Sequence, residues 1–216
     1  MATVIDNADL LLIGLRVTVV LAAIVIVSGS ALGLLGGIGL LYGSWPVRWL
    51  LRVYVDVIRG TPLLVLIFLA FYGLPALGIA IDGFWAATLA LGLFAGAHIS
   101  EIVRGAIAAV PGGQSDAGRA LGLTFWPRLR YVILPQAGPA ILPPWVNTAT
   151  EMVKGTSLVA LVSVSDLLFS AQKVLERTGE AMPIYLAAAA IYVVLNLTIS
   201  RLGARLERRA SFATAV

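Results

Sequence analysis

The feature that most constrains this chain is a long stretch near its N-terminus, residues 17–41, that contains no charged residue. About 20 consecutive apolar residues are enough for a helix to cross a bilayer. Asp6 and Asp9 precede the stretch, where a cleavable signal peptide would carry basic residues. We therefore predict a permanent first transmembrane helix.

Four more apolar stretches follow, and the composition of the whole chain agrees with them. Hydrophobic residues make up 60% of the sequence and charged residues only 12%, whereas a soluble domain carries about 25% charged residues. We place the further spans at about residues 62–81, 84–110, 136–164 and 183–200. Pro139, Pro143 and Pro144 fall near the start of the fourth span, so we expect its first turns to be bent or separate. The prediction is an all-α polytopic membrane protein with five transmembrane helices, in which residues 1–216 form a single transmembrane domain.

The first span is rich in small residues. Gly29, Gly33 and Gly37 repeat at four-residue spacing, which places them on one helix face. Such a face lets a second helix approach closely. The alternative is that these glycines only reflect the high glycine content of membrane helices.

Basic residues fall mainly on one side of this arrangement. If the N-terminus lies outside, the outer connections hold only Lys173 and Arg177. Because basic residues concentrate on the cytoplasmic side of membrane proteins, we predict an external N-terminus and a cytoplasmic C-terminus. The cytoplasmic side then holds Arg48, Arg52, Arg59, Arg104, Arg119, Arg128, Arg130, Arg201, Arg205, Arg208 and Arg209. The sequence Arg59-Gly-Thr-Pro62 is expected to form the cytoplasmic start of the second span.

The outer connection between the fourth and fifth spans has an amphipathic pattern. Leu167, Ala171 and Val174 recur at helical spacing among polar residues, and Asp166 precedes them. We predict a short helix that lies on the outer surface of the membrane.

Residues 114–135 are too polar to span a bilayer, yet they carry more apolar side chains than an ordinary loop. We predict a first helix over residues 114–121 that stops at Gly122, since glycine commonly ends helices. A second short helix is predicted to start near Thr124 as its cap, with Pro127 in its first turn. Two short helices joined at a glycine make a stiff segment, which suits docking to a partner outside the membrane.

This segment resembles the coupling loop of the permease subunits of ABC importers. The pattern there is Glu-Ala-Ala, three residues, Gly, about nine residues and Ile-x-Leu-Pro. Here Asp116-Ala-Gly118 stands first, Gly122 follows at the same spacing, and Ile133-Leu-Pro135 closes the pattern. The surroundings resemble the polar amino acid uptake branch (HisMQ-like) of these permeases. They match in Arg-Gly-Thr-Pro-Leu-Leu at residues 59–64, Glu-x-x-Arg-Gly at 101–105, Val-Pro-x-Gly-Gln at 110–114, Leu-Pro-Gln-Ala at 134–137, Leu-Pro-Pro at 142–144 and Lys-x-Thr-Ser-Leu at 154–158.

The resemblance implies a type I ABC importer permease (MetI-like) fold in the cell inner membrane. It implies a translocation path for an amino acid that an extracytoplasmic binding protein delivers. A second permease subunit, identical or not, and an ATPase subunit dimer complete the assembly. The ATPase uses ATP and magnesium, and this chain is expected to hold no cofactor, since it lacks a phosphate-binding Gly-x-x-x-x-Gly-Lys-Ser/Thr loop. The coupling loop covers about residues 111–135, and its coupling residues are Asp116, Ala117, Gly118, Ala120, Leu121, Gly122 and Leu123.

The sequence departs from these relatives at two positions. Leu66 stands where many of them have glutamine, and His98 stands where tyrosine is usual. The identity of the solute is therefore not carried over from them.

Charge inside a bilayer is costly, so polar residues inside the spans usually pair with one another or face water. They are therefore candidates for the solute path. Glu151 and Lys154 share a face with Asn147 in the fourth span. Two interpretations are open: these residues line the solute path, or Glu151 and Lys154 form an internal salt bridge that only fixes helix packing. Thr156, Ser157 and His98 complete the candidate substrate pathway.

A second set of residues has structural or gating roles in this interpretation: Arg59, Pro62, Glu101 and Arg104. Glu101 and Arg104 are three residues apart at the inner end of the third span and are expected to pair. Asp56 and Arg59 have the same spacing and the same expectation. One histidine and no cysteine leave no metal site to predict.

Other classes of protein are less compatible with the sequence. An intramembrane protease would need facing catalytic residues, and no Gly-x-Ser-x-Gly motif surrounds a serine. An ion-coupled secondary transporter is the alternative function, but it would usually show doubled repeats and broken helices, and the sequence suggests neither. A structural scaffold subunit would leave the docking segment unexplained. We expect no enzymatic activity and no nucleic acid partner.

Overall fold

The computed structural model of the chain describes the backbone of residues 2–214 and the side chains of residues 3–208. Met1, Ala215, Val216 and the side chain of Arg209 therefore lie outside the described residues. Helices dominate the described part, and no strand occurs in it. The helices are α1 (Ala2–Asp6), α2 (Ala8–Tyr42), α3 (Trp45–Gly60), α4 (Leu63–Phe68), α5 (Leu74–Ala76), α6 (Gly83–Ala108), α7 (Gly112–Ala120), α8 (Phe125–Arg128), α9 (Leu134–Gly155), α10 (Leu167–Thr178) and α11 (Ala181–Thr214). Two π-helical segments (Leu69–Gly73 and Leu129–Ile133) and a 3₁₀ segment (Thr156–Val162) continue or join them.

The all-α prediction is confirmed, and the number of spans agrees with the predicted five. Three helices, α2, α6 and α11, are long and apolar enough to cross a membrane. Two bent helix pairs raise the number to five if each pair is one span. The pair α3 and α4–α5 is bent by 110°, and the pair formed by α8–α9 with α10 is bent by 50°.

Helix α6 forms the centre of the bundle and packs along α2. The most apolar part of α6 is 72% buried, against 33% for α2 and 11% for α11. A Cβ added to Gly29 would lie 2.6 Å from the Cβ of Ala95, and one added to Gly37 would lie 2.6 Å from the Cβ of Val103. Gly33 is equally close to Ile99. The predicted small-residue face of the first span is thus confirmed as a close helix contact.

The second span differs from the prediction at both ends. Its helical part ends at Ala76, not near residue 81, and the chain then turns at Gly78, whose φ of +82° favours glycine. At its other end, α3 precedes α4. Helix α3 returns along α2, as the close contact between Gly39 of α2 and Leu51 of α3 shows. The Tyr54 hydroxyl of α3 then donates a hydrogen bond of 2.7 Å to the Leu93 carbonyl of α6.

The break between α3 and α4 therefore lies beside the central helix α6, although Arg59 and Pro62 themselves are exposed. Ile58 before the break and Leu66 after it share a cavity with Leu93 of α6. The predicted cytoplasmic position of Arg59-Gly-Thr-Pro62 stays a prediction, whereas the expectation that no helix is broken is wrong. Pro62 has no N–H group to donate and disfavours a helical conformation at Thr61, so the helix stops there.

The fourth span is a continuous helix despite its prolines. Pro139, Pro143 and Pro144 lie inside α9, which runs unbroken from Leu134 to Gly155. The prediction that its first turns are separate is therefore wrong. The π-helical segment Leu129–Ile133 ends just before Pro135, and such local widening accommodates proline in membrane helices.

The predicted helix between the fourth and fifth spans exists as α10, but it is packed into the bundle. Leu167, Ala171 and Val174 are fully buried, in a cluster with residues of α2 and α11. Buried Asp166 caps the helix by accepting a hydrogen bond of 2.9 Å from the Phe169 amide. The same carboxylate accepts a hydrogen bond of 3.1 Å from the Tyr192 hydroxyl of α11. The apolar stripe of α10 thus meets protein rather than lipid, and the predicted position at the outer membrane surface stays a prediction.

Candidate coupling segment and transport path

The predicted docking region forms a tight helical turn, which we call the coupling segment (residues 112–128). Helix α7 ends where Gly122 adopts a φ of +77°. Across this end the Leu123 amide donates to the Gly118 carbonyl at 3.0 Å, and the Gly122 amide donates to the Arg119 carbonyl at 2.9 Å. This is the usual glycine-terminated helix end. The prediction of a helix that stops at Gly122 is confirmed.

The second helix of the coupling segment is not a separate unit. Helix α8 begins at Phe125 as predicted, but Thr124 makes no side-chain capping hydrogen bond. From α8 the helix continues through the π-helical segment into α9. The coupling segment is therefore directly continuous with the fourth span, and a displacement of one displaces the other.

Side-chain contacts brace the coupling segment internally. A Cβ added to buried Gly118 would lie 3.0 Å from Arg128 Cγ, so the two helices touch at the glycine. The Arg128 guanidinium donates to the Leu123 carbonyl at 3.5 Å. Phe125 packs edge-on against Tyr42, at the end of α2, with ring centroids 5.1 Å apart. These contacts explain how so short a segment holds one shape.

The outer side of the coupling segment is available for docking. Leu121 is 80% exposed at the tip. Asp116 is exposed and lies 3.5 Å from Arg119 in a weak ion pair. Among the other predicted coupling residues, Ala117, Ala120 and Gly122 are exposed, Leu123 is partly buried and Gly118 is buried.

A polar stripe follows one face of α9. Asn147, Glu151 and Lys154 are all exposed. Within the described side chains Glu151 and Lys154 form no ion pair, so the salt bridge that the sequence left open is absent there. Exposed unpaired charges in an apolar span must meet water or another subunit, because lipid would not solvate them.

Two other candidates for this path do not extend the stripe. Thr156 is fully buried and donates to the Val153 carbonyl at 2.7 Å. Ser157 is partly exposed and donates to the Lys154 carbonyl at 2.7 Å. Both hydroxyls are satisfied by their own helix.

The end of the polar stripe lies next to the break in the second span. A Cβ added to Gly155 would lie 3.1 Å from Leu63 Cδ2 and 3.3 Å from Leu91 Cδ2. Lys154 thus neighbours the start of α4, where Pro62 is exposed. Arg59 is also exposed, and within the described side chains it forms no ion pair with Asp56. The sequence analysis did not predict that Lys154 lies beside the break in the second span. The pair Thr61-Pro62, which follows an amphipathic stretch that carries arginines, was the signal for such a break.

A carboxylate at the inner end of α6 joins two helices. Glu101 lies 2.9 Å from Arg104, as predicted, and 2.9 Å from Arg52 of α3. Arg104 binds both carboxylate oxygens. One acidic side chain thereby ties the first half of the broken span to the central helix.

His98 is a packed residue one turn away from Glu101. Its Nδ1 lies 3.0 Å from the Phe94 carbonyl, and its ring centroid lies 4.3 Å from that of Phe94. The side chain is partly buried. This is a packed, hydrogen-bonded environment, and the place of His98 in the solute path stays a prediction.

Apolar spans, an exposed docking segment and an unpaired polar stripe together define a membrane permease subunit. The family described as "Binding-protein-dependent transport system inner membrane component" matches residues 29–212. The chain belongs to this family, and it is a multi-pass inner-membrane protein. The family is one of transport permeases rather than of enzymes.

Characterised relatives span nearly the whole chain. The glutamine transport system permease protein GlnP of Escherichia coli K12 is 36% identical over 202 residues, which cover 93% of this chain and 92% of the relative. The L-cystine transport system permease protein TcyB of Bacillus subtilis is 38% identical and covers 91% and 84%. The arginine transport system permease protein ArtQ of Bacillus subtilis is 32% identical and covers 95% and 94%. The family resemblance inferred from the motifs is confirmed.

Solved structures show the same fold. The crystal structure of an amino acid ABC transporter with histidines contains a chain of 35% identity, with a TM-score of 0.88 over 96% of this chain and 97% of that one. An inward-facing structure of the MetNI methionine ABC transporter has a TM-score of 0.79 at 22% identity, over 93% and 96%. The predicted type I importer permease fold is therefore confirmed.

Proposed function

We propose that this chain forms the translocation path of an ATP-driven importer for an amino acid. The observation that carries the proposal is the coupling segment, which is exposed at Leu121, braced at Gly118 and continuous with the polar span α9. In this assembly an extracytoplasmic binding protein delivers the solute, and two permease subunits enclose the path. ATP and magnesium are bound by the ATPase dimer, whose closure pushes the two coupling segments.

The mechanism follows from helix continuity. A docked ATPase displaces α7, and the close contact at Gly118 passes the displacement to α8. Because α8 continues into α9, the polar stripe moves with the ATPase. Movement of α9 beside the break in the second span alternately opens the path to either side, while the Arg52–Glu101 ion pair, braced by Arg104, holds α3 to α6.

The orientation in this proposal places the N-terminus outside and the C-terminus in the cytoplasm. The predicted cytoplasmic connections hold eleven arginines, against Lys173 and Arg177 outside. That asymmetry supports the assignment. It also places the coupling segment on the cytoplasmic side, where ATP is available.

An amino acid is the proposed solute for two reasons. The relatives named above are permeases for glutamine, cystine and arginine. In addition, Glu151 and Lys154 are exposed and unpaired with each other, so one stripe offers both charge signs to a zwitterion. His98 and Leu66 depart from the family pattern and are partly buried, so they are candidates for selectivity.

Uptake by the reconstituted complete transporter tests the path. We expect Glu151→Gln and Lys154→Met each to lower ATP-dependent uptake of labelled amino acid by about tenfold, equivalent to losing one charge-assisted hydrogen bond. Lys173→Met, on α10, is the matched control and should leave uptake unchanged. Normal uptake and unchanged selectivity in both stripe variants would contradict the assignment.

The break in the second span is one observation that favours a second candidate. Ion-coupled transporters use broken helices near the middle of the membrane. Uptake that follows an ion gradient and ignores nucleotide would favour that function over the importer.

A further inference from the structure

A cavity outside the transport path lies where the coupling segment joins the membrane part of the chain. It has a volume of about 370 Å³, and its lining comprises Ile38, Trp126, Pro127, Leu129, Arg130, Tyr131 and Leu134. We call it the aromatic groove. It runs between the last turns of α2 and the helix that leads into α9. None of its residues belongs to the polar stripe or to the predicted coupling residues.

Three exposed side chains give the aromatic groove its chemistry. Trp126 is 68% exposed and Tyr131 is 70% exposed. Exposed Arg130 lies 5.8 Å from the centre of the Tyr131 ring. Within the described residues Arg130 has no carboxylate partner, so its charge remains available for an external anion. Tryptophan and tyrosine concentrate at the headgroup level of membranes.

The rest of the aromatic groove suits hydrocarbon. Ile38 and Leu134 line it, and Leu35, one turn earlier on α2, is 69% exposed. The groove therefore lies on a helix that also presents apolar side chains to its surroundings. An arginine beside two amphipathic rings, next to an apolar wall, matches a molecule with an anionic head and acyl chains.

We propose that the aromatic groove binds an anionic phospholipid of the cytoplasmic leaflet. The phosphate meets the Arg130 guanidinium, and the acyl chains lie along Ile38 and Leu134. A lipid in this place contacts both α2 and the helix that carries the coupling movement. Lipid binding itself does not depend on the proposed function, whereas an effect of this lipid on coupling does.

The alternative occupant is the ATPase, and the geometry disfavours it. Phe125, directly before Trp126, packs on Tyr42 at the end of α2, so this part of the segment lies against the membrane helices. The exposed tip at Leu121 belongs to the other helix. Docking at the tip leaves the groove open to the bilayer.

The test measures lipid retained by the complete transporter. We would reconstitute it in nanodiscs of equal phosphatidylglycerol and phosphatidylcholine, then count retained phosphatidylglycerol by native mass spectrometry. Arg130→Gln should reduce retention about fivefold, which is the effect of one basic residue at an anionic surface. Trp126→Ala should also reduce it, and Arg130→Lys should keep most of it because the charge remains.

The matched control is Arg48→Gln, which removes an exposed arginine from the same end of the bundle. It should leave retention near the wild-type value. Equal losses of retained phosphatidylglycerol in Arg48→Gln and Arg130→Gln would show that diffuse electrostatic attraction holds the lipid, and would overturn the proposal. Unchanged lipid with loss of the ATPase from the Arg130→Gln complex would assign the groove to the ATPase instead. Failure of uptake in every variant, with lipid retention as expected, would count against the proposed function and not against the lipid site.

Discussion

Gly118 shows how a single missing side chain determines the shape of the coupling segment. The family pattern has alanine here, and the two helices of this chain approach closely enough that a Cβ would press on Arg128 Cγ at 3.0 Å. The arginine is flexible and yields to a methyl group. A larger side chain would push α7 away from α8.

We predict that Gly118→Leu weakens the hold of the transporter on its ATPase. Overpacking of this kind costs about 1–3 kcal/mol, and it displaces the docking surface as well. Co-purification of the ATPase with the tagged permease measures the effect. Gly113→Leu on the same helix is the control, since nothing lies within 4 Å of a Cβ there. The prediction fails if both variants bind the ATPase equally.

A second residue-scale prediction concerns buried Asp166. Its carboxylate caps α10 and accepts from Tyr192, so Asp166→Ala removes the cap and leaves a buried hydroxyl without this partner. We expect a loss of about 2–3 kcal/mol in stability. Thermal unfolding of the purified protein in detergent measures it.

Asp82→Ala is the control for Asp166→Ala. Asp82 caps α6 in the same way, through the Trp85 amide at 3.0 Å, but it is exposed and has no second partner there. It should cost only about 1 kcal/mol. Equal shifts of the melting temperature in the two variants would show that the bond to Tyr192 contributes nothing.

At the scale of elements, the turn at Gly122 between α7 and α8 is critical for the proposed docking of the ATPase. Gly122 has a φ of +77°, which proline cannot adopt because its ring fixes φ near −65°. We predict that Gly122→Pro abolishes ATPase co-purification while insertion into the membrane survives. Asp116→Lys, which reverses a charge on the exposed side, should do the same without disturbing the turn. Normal recovery of the ATPase with either variant would show that docking occurs elsewhere.

Helix positions followed from the sequence wherever a local rule was sufficient. Long uncharged stretches located the spans, and the glycine spacing located the contact of α2 with α6. The break at Thr61–Pro62 was not predicted, because hydropathy and charge counts cannot show that α3 returns along α2. Continuity through Pro139, Pro143 and Pro144 was missed because neighbouring turns and helices compensate for proline in membrane spans.

Partners far apart in the chain were beyond a single sequence. The Glu101–Arg104 pair follows from spacing within one helix, but Arg52 is 49 residues from Glu101, and only the folded bundle brings it near. Glu151 and Lys154 have the same three-residue spacing as Glu101 and Arg104, which permits an ion pair but does not require one. The roles of the coupling and path residues remain predictions.

At the scale of the whole molecule, one continuous helix, from α8 through α9, joins the coupling segment to the polar stripe. In the proposed function the coupling segment docks to the ATPase, the middle of this helix is braced against α2 and α6, and its far end carries the polar stripe beside the break. The chain has no phosphate-binding loop of its own. In the proposed function the work enters from a separate ATPase, and the account depends on that.

The most direct test is amino acid accumulation in proteoliposomes that contain the complete transporter, with binding protein outside and ATP enclosed. We predict accumulation against a gradient that requires ATP and disappears in the Asp116→Lys variant. Uphill accumulation by this chain alone, without ATPase or nucleotide, would contradict the account.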